Sequence, residues 1–102
     1  MSSVLAVFEF PGEPEELRQR YDKLLLRVVE ISSARPIIHL AVPVESGLNV
    51  YDVWDSEAAF RSFSENPDFL AVLESFGMAN PTVTVLPVHN VGWPVSGMPL
   101  YR

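Results

Sequence analysis

The side chains of this chain best suited to move a proton near neutral pH are His39, His89 and Asp52. His39 is the one strongly polar residue in the apolar run Pro36 to Val44. It reads either as a structural histidine hydrogen-bonded across a sheet or a dimer seam, or as a general acid or base. Asp52 and Trp54 sit two residues apart on one strand pattern, so their side chains point to the same side. A carboxylate inside a strand is costly to bury alone. Either Asp52 faces a cavity, where it orients an imidazole or accepts a substrate proton, or it faces an interface, where Arg35 or Arg61 neutralises it. Glu9 on the first strand is a further candidate partner, because two adjacent carboxylates can share a proton. Trp54 is either a core aromatic or a flat apolar wall for a planar ligand. His89 and Asn90 follow the last strand, where the histidine can cap backbone groups, face solvent or border a site.

Other chemistries lack their residues. There is no cysteine, so disulfides, thiolate nucleophiles and zinc–thiolate clusters are excluded. The two histidines, fifty positions apart, have no local metal-ligand spacing. No glycine-rich phosphate loop or nucleophile elbow is present, and no flavin, nicotinamide or other cofactor is indicated. The net charge of −6 argues against nucleic acid and anionic membranes. No apolar run approaches the ~18 residues of a membrane span. The start Met1-Ser-Ser-Val lacks a signal-peptide pattern, which makes the expected location cytoplasmic.

The elements that must position these residues follow from periodicity and punctuation. Val4 to Phe10 reads as a strand closed by Pro11-Gly12. Pro14-Glu15-Glu16 opens a helix whose stripe is Leu17, Tyr21, Leu24, Leu25, Val28 and Ile31. Pro36 to Val44 and Leu48 to Trp54 form an antiparallel hairpin across Glu45-Ser46-Gly47. A helix from Ser56 buries Ala59, Phe60 and Phe63, is broken or kinked at Asn66-Pro67, and continues through Phe69, Leu70, Leu73 and Phe76 to a C-cap at Gly77. Thr82 to Val88 is the fourth strand. The expected face of the third strand beneath the helices is Asn49, Tyr51 and Val53. Residues 91–102, rich in Pro and Gly yet carrying Trp93, Met98, Leu100 and Tyr101, read as an arm that packs on the domain or on a partner subunit.

The order is βαββαβ, a ferredoxin-like α+β domain over residues 1–90, with a four-stranded antiparallel sheet and its helices on one face. The apolar content of 48% is high for 102 residues, and the bare sheet face is expected to meet a second copy in a homodimer.

Val50-Tyr-Asp-Val-Trp-Asp-Ser-Glu-Ala-Ala-Phe60 resembles the third strand and second helix of the dimeric α+β barrels, specifically their antibiotic-biosynthesis-monooxygenase-like branch with its small actinobacterial members. The resemblance covers residues 3–90. It implies two sheets paired face to face and a cavity in each protomer. Members include cofactor-free oxygenases of polycyclic phenols, heme-degrading oxygenases, isomerases, cyclases and proteins without known activity. Oxygenases of the superfamily often place a histidine on the second helix. Ser56 to Asn66 has none and offers Phe60 and Phe63 instead, so heme ligation is not expected.

The resemblance implies a small cofactor-independent enzyme, monooxygenase-, isomerase- or cyclase-like, acting on an apolar aromatic or polyketide-like molecule. Trp54, Phe8, Phe60 and Phe63 are the expected lining. His39 is the expected base and Asp52 its orienter or proton acceptor, with His89 and Asn90 at the rim. The alternative is a non-catalytic dimeric ligand-binding or structural protein whose pocket its own side chains fill.

Overall fold

The computed structural model describes residues 2–91. The elements are β1 (Val4–Pro11), α1 (Pro14–Ile31), β2 (Ile38–Val44), β3 (Gly47–Trp54), α2 (Glu57–Ser64), α3 (Pro67–Ser75) and β4 (Thr82–Pro87). The strands form one antiparallel sheet in the order β2-β3-β1-β4. This is the expected ferredoxin-like α+β architecture. The arm at 91–102 lies outside the described residues beyond Val91.

Local chemistry sets each boundary. Glu13 caps α1 by accepting from the Glu16 amide at 2.8 Å and the Glu15 amide at 3.2 Å. Ser56 Oγ caps α2 by accepting from the Ala59 amide at 3.1 Å. Pro67 divides the second helical stretch in two, because it brings no N–H and Asn66, in extended backbone, caps α3 through the Asp68 amide. Gly77 adopts a φ of 72°, and the Met78 amide reaches back to the Leu73 carbonyl at 2.9 Å, which closes α3 as a Schellman turn. Gly47 is required by closeness rather than by φ. A Cβ there would lie 1.9 Å from the Phe10 carbonyl oxygen.

The face of β3 beneath the helices is the reverse of the expected one. Leu48, Val50, Asp52 and Trp54 are buried, and Asn49, Tyr51 and Val53 lie on the bare side. The cause is the neighbouring strand. Phe8 and Phe10 of β1 stand opposite Val50 and Leu48, and Val4 stands opposite Trp54, so both rows join one core. The helices add Leu17, Leu24, Val28, Phe60, Phe69, Val72 and Leu73 to it. Aromatic contacts run through its centre, with ring centroids of Phe63 and Phe69 4.4 Å apart and of Trp54 and Phe63 5.1 Å apart.

The opposite face carries Leu5, Val7, Ile38, Leu40, Val42, Tyr51, Val53 and Leu86 by strand register. Leu40 is 54% exposed and Leu86 48%. Among the described residues no helix is long and apolar enough to cross a membrane.

Candidate active site

A two-residue turn, Glu45-Ser46, sets the site. It pairs Val44 with Gly47, and counting back along both strands places His39 directly opposite Asp52. Both side chains point to the helix side. Asp52 is the only buried charged residue among the described residues, at 4% exposure. Its Oδ1 lies 2.5 Å from His39 Nδ1. A carboxylate can only accept, so the Nδ1 nitrogen carries the hydrogen and Nε2 presents its lone pair. The His39 side chain is 32% exposed and so links the buried acid to the surface.

Tyr21 completes the cluster from α1. Its hydroxyl hydrogen-bonds to His39 Nε2, and the two rings lie nearly parallel, 13° apart. Burial, and then the negative charges of Asp52 and Asp22, push the Tyr21 phenol above its ordinary value near 10. The phenol is therefore neutral and donates to the imidazole. Tyr21 was hidden in the sequence among the apolar positions of the α1 stripe. The clue was that it is the stripe's only hydroxyl.

Two spaces meet at this cluster. A chamber of about 50 Å³ lies beneath the helices, lined by Tyr21, His39 and Asp52 and otherwise by apolar side chains such as Phe8, Leu24 and Val50. A wider cleft of about 300 Å³ opens on the other side of His39. Trp54, Phe63, Val29, Ile37 and the Ala34-Arg35-Pro36 connector form its walls. Leu25, Val28, His39, Asp52 and Phe63 border both. Trp54 is buried, and among the described residues its indole Nε1 has no acceptor.

The expected residues thus divide. His39, Asp52, Trp54 and Phe63 come together, and Phe8 borders the inner chamber. Phe60 is fully buried and packs edge-on against Phe8. It lines a separate cleft of about 390 Å³ beside Arg61 and Val83 and does not border the His39 cleft. His89 and Asn90 are exposed beyond β4, at the sheet edge opposite β2. Three strand spacings, ~14 Å, separate those two edges. Glu9 does not reach Asp52. It is exposed on the bare face opposite Asn49, whereas Asp52 stands opposite Ala6. Arg35 donates to the Ser32 and Ala34 carbonyls, and Arg61 pairs with Glu57, so neither arginine contacts Asp52. No group of three or more potential metal-binding His, Asp or Glu side chains occurs among the described residues.

No family model and no curated protein matches the chain. Solved structures do. SnoaB, a cofactor-independent oxygenase from Streptomyces nogalater, superposes with a TM-score of 0.65 at 15% identity over 89% of this chain and 97% of that one. The monooxygenase from the gene ActVA-Orf6 of Streptomyces coelicolor, solved with the ligand nanaomycin D, gives a TM-score of 0.65 at 18% identity over 91% and 92%. An inferred antibiotic biosynthesis monooxygenase from Caulobacter crescentus gives 0.58 at 18% identity over 86% and 89%. At such identities the likeness is one of fold. The chain therefore has the fold of the antibiotic-biosynthesis-monooxygenase-like proteins.

Proposed function

We propose that this protein is a small cofactor-independent enzyme acting on an apolar aromatic or polyketide-like molecule held in the cleft beside His39. The observation that carries the reading is the buried Asp52 carboxylate bonded to His39 at the wall of an apolar cleft of about 300 Å³, the lower end of the range for small-molecule sites. Trp54 and Phe63 supply flat apolar walls. His39 is the base on which the proton lost by a phenolic or enolic hydroxyl finally rests. Asp52 holds the ring in one tautomer and balances the charge that forms.

The resulting anion is electron-rich. In an oxygenase reaction it is oxidised by dioxygen itself, with one oxygen atom entering as a carbonyl and the other leaving as water. The same proton abstraction serves an isomerisation or cyclisation. The shared fold of SnoaB and the ActVA-Orf6 monooxygenase supports the oxygenase form. The protein works as a homodimer joined through the bare sheet face, whose contiguous apolar residues favour a self-complementary partner.

The test is oxygen uptake with a hydroxyanthrone such as dithranol, without added metal or cofactor. Uptake above the buffer rate that falls in His39→Ala supports the enzyme. Binding without uptake, isomerisation or cyclisation favours a non-catalytic binding protein, a reading that the small inner chamber of about 50 Å³ also favours.

A further inference from the structure

Both nitrogens of His39 are engaged in the folded protein. Nδ1 is bonded to Asp52, and Nε2 receives the Tyr21 hydroxyl. An imidazole has only these two proton-exchanging positions. A ligand hydroxyl therefore has no free site on the ring. The Tyr21 oxygen, by contrast, keeps lone pairs to spare, and Tyr21 borders the inner chamber that adjoins the cleft along Leu25, Val28 and Phe63. We propose that Tyr21 is the catalytic residue that exchanges a proton with the ligand, and that His39 and Asp52 act through it. This deepens the proposed function and rests on it.

The step balances without any further reactant. The ligand's O–H bond breaks and its proton passes to Tyr21 Oη, while the Tyr21 O–H proton passes to His39 Nε2. The ligand becomes an oxyanion, the imidazole becomes an imidazolium held by Asp52, and Tyr21 is a neutral phenol before and after. Tyr21 then donates its new proton to the oxyanion as a hydrogen bond. Burial and the neighbouring carboxylates keep the phenol neutral, so it serves as a conduit rather than a resident anion. The ligand's polar end points to the chamber and its apolar body stays in the cleft walled by Trp54 and Phe63.

The probe is 4-nitrophenol, whose phenolate absorbs visible light while the neutral phenol does not. The wild-type protein is expected to raise the phenolate-to-phenol ratio of the bound probe about tenfold over free probe at the same pH, one pKa unit of added anion stabilisation. Tyr21→Phe is expected to bind it with comparable affinity and ionise it no more than buffer does. 3-Fluorotyrosine placed at position 21 keeps the shape, makes the hydroxyl more acidic and is expected to raise the ionised fraction. It also serves if Tyr21→Phe does not fold. If Tyr21→Phe ionises the probe like wild type, or the fluorinated residue changes nothing, His39 acts directly and the inference fails while the proposed function stands. If the wild type does not ionise the probe, or His39→Ala ionises it equally well, the proposed function fails and takes the inference with it.

Discussion

His39 and Asp52 face each other as register partners on adjacent antiparallel strands, so their contact is fixed by the register of one tight hairpin. Pairs held this way keep their geometry without a ligand, which is the preorganisation that acid–base chemistry needs.

The first prediction separates activity from stability at this pair. Asp52→Leu replaces a buried carboxylate with an apolar group of similar size in an apolar row. Its stability is expected to fall by about 1–3 kcal/mol, because the part-buried His39 Nδ1–H loses its acceptor. Turnover is expected to fall by ~10²-fold or more, the usual contribution of general acid–base groups. Urea unfolding and oxygen uptake on the same sample check both.

Tyr21 predicts a one-sided pH dependence of stability. Its folded phenol titrates above the ordinary value near 10. Below that value the phenol is neutral in both folded and unfolded chains and its contribution is fully present. As pH rises further the unfolded chain ionises first, and stability is lost until the folded phenol also titrates. Urea midpoints measured from pH 8 to pH 11 should therefore fall less steeply for Tyr21→Phe than for wild type. Equal slopes would remove Tyr21 as the cause.

Gly47→Ala tests the close approach of the hairpin to β1. A Cβ placed 1.9 Å from the Phe10 carbonyl oxygen forces the strands apart. The expected loss is about 3 kcal/mol, at the upper end for overpacking, because rigid backbone leaves little room to relax. A urea midpoint within error of wild type would refute the contact.

The dimer proposal predicts a mass of twice 11.4 kDa by light scattering. The double variant Leu40→Arg and Leu86→Arg, both on the bare face, should yield monomers by charge repulsion and lost apolar contact. A wild-type monomer at micromolar concentration would rule the interface out.

Much of the architecture was legible because punctuation and period agreed. Pro14, the Asn66-Pro67 break, Gly77 and the Glu45-Ser46 turn each lie where the chain changes direction. The inward row of β3 was not legible. Leu48, Val50, Asp52 and Trp54 compete with Asn49, Tyr51 and Val53, and each row mixes apolar with polar groups. The choice was made by Phe8 and Phe10 across the sheet, a long-range match that no local pattern contains. The site shows the same limit. His39, Asp52 and Trp54 stood out as polar or bulky residues in strands. Tyr21 fits a helical stripe of core positions, and only the fold shows its hydroxyl meeting an imidazole. His89 stood out for its residue type alone, and the strand order carries it to the far edge.

The Ala34-Arg35-Pro36-Ile37 wall of the cleft has a consequence of its own. It is irregular backbone between α1 and β2, whereas Asp52 is pinned in a central strand with neighbours on both sides. Under the proposed function, exchanges in that connector would reshape what the cleft admits while leaving the Asp52 carboxylate where it is. On that reading the shape of the cleft and the position of the buried acid are separable, and a different preference would follow from rebuilding four residues of chain.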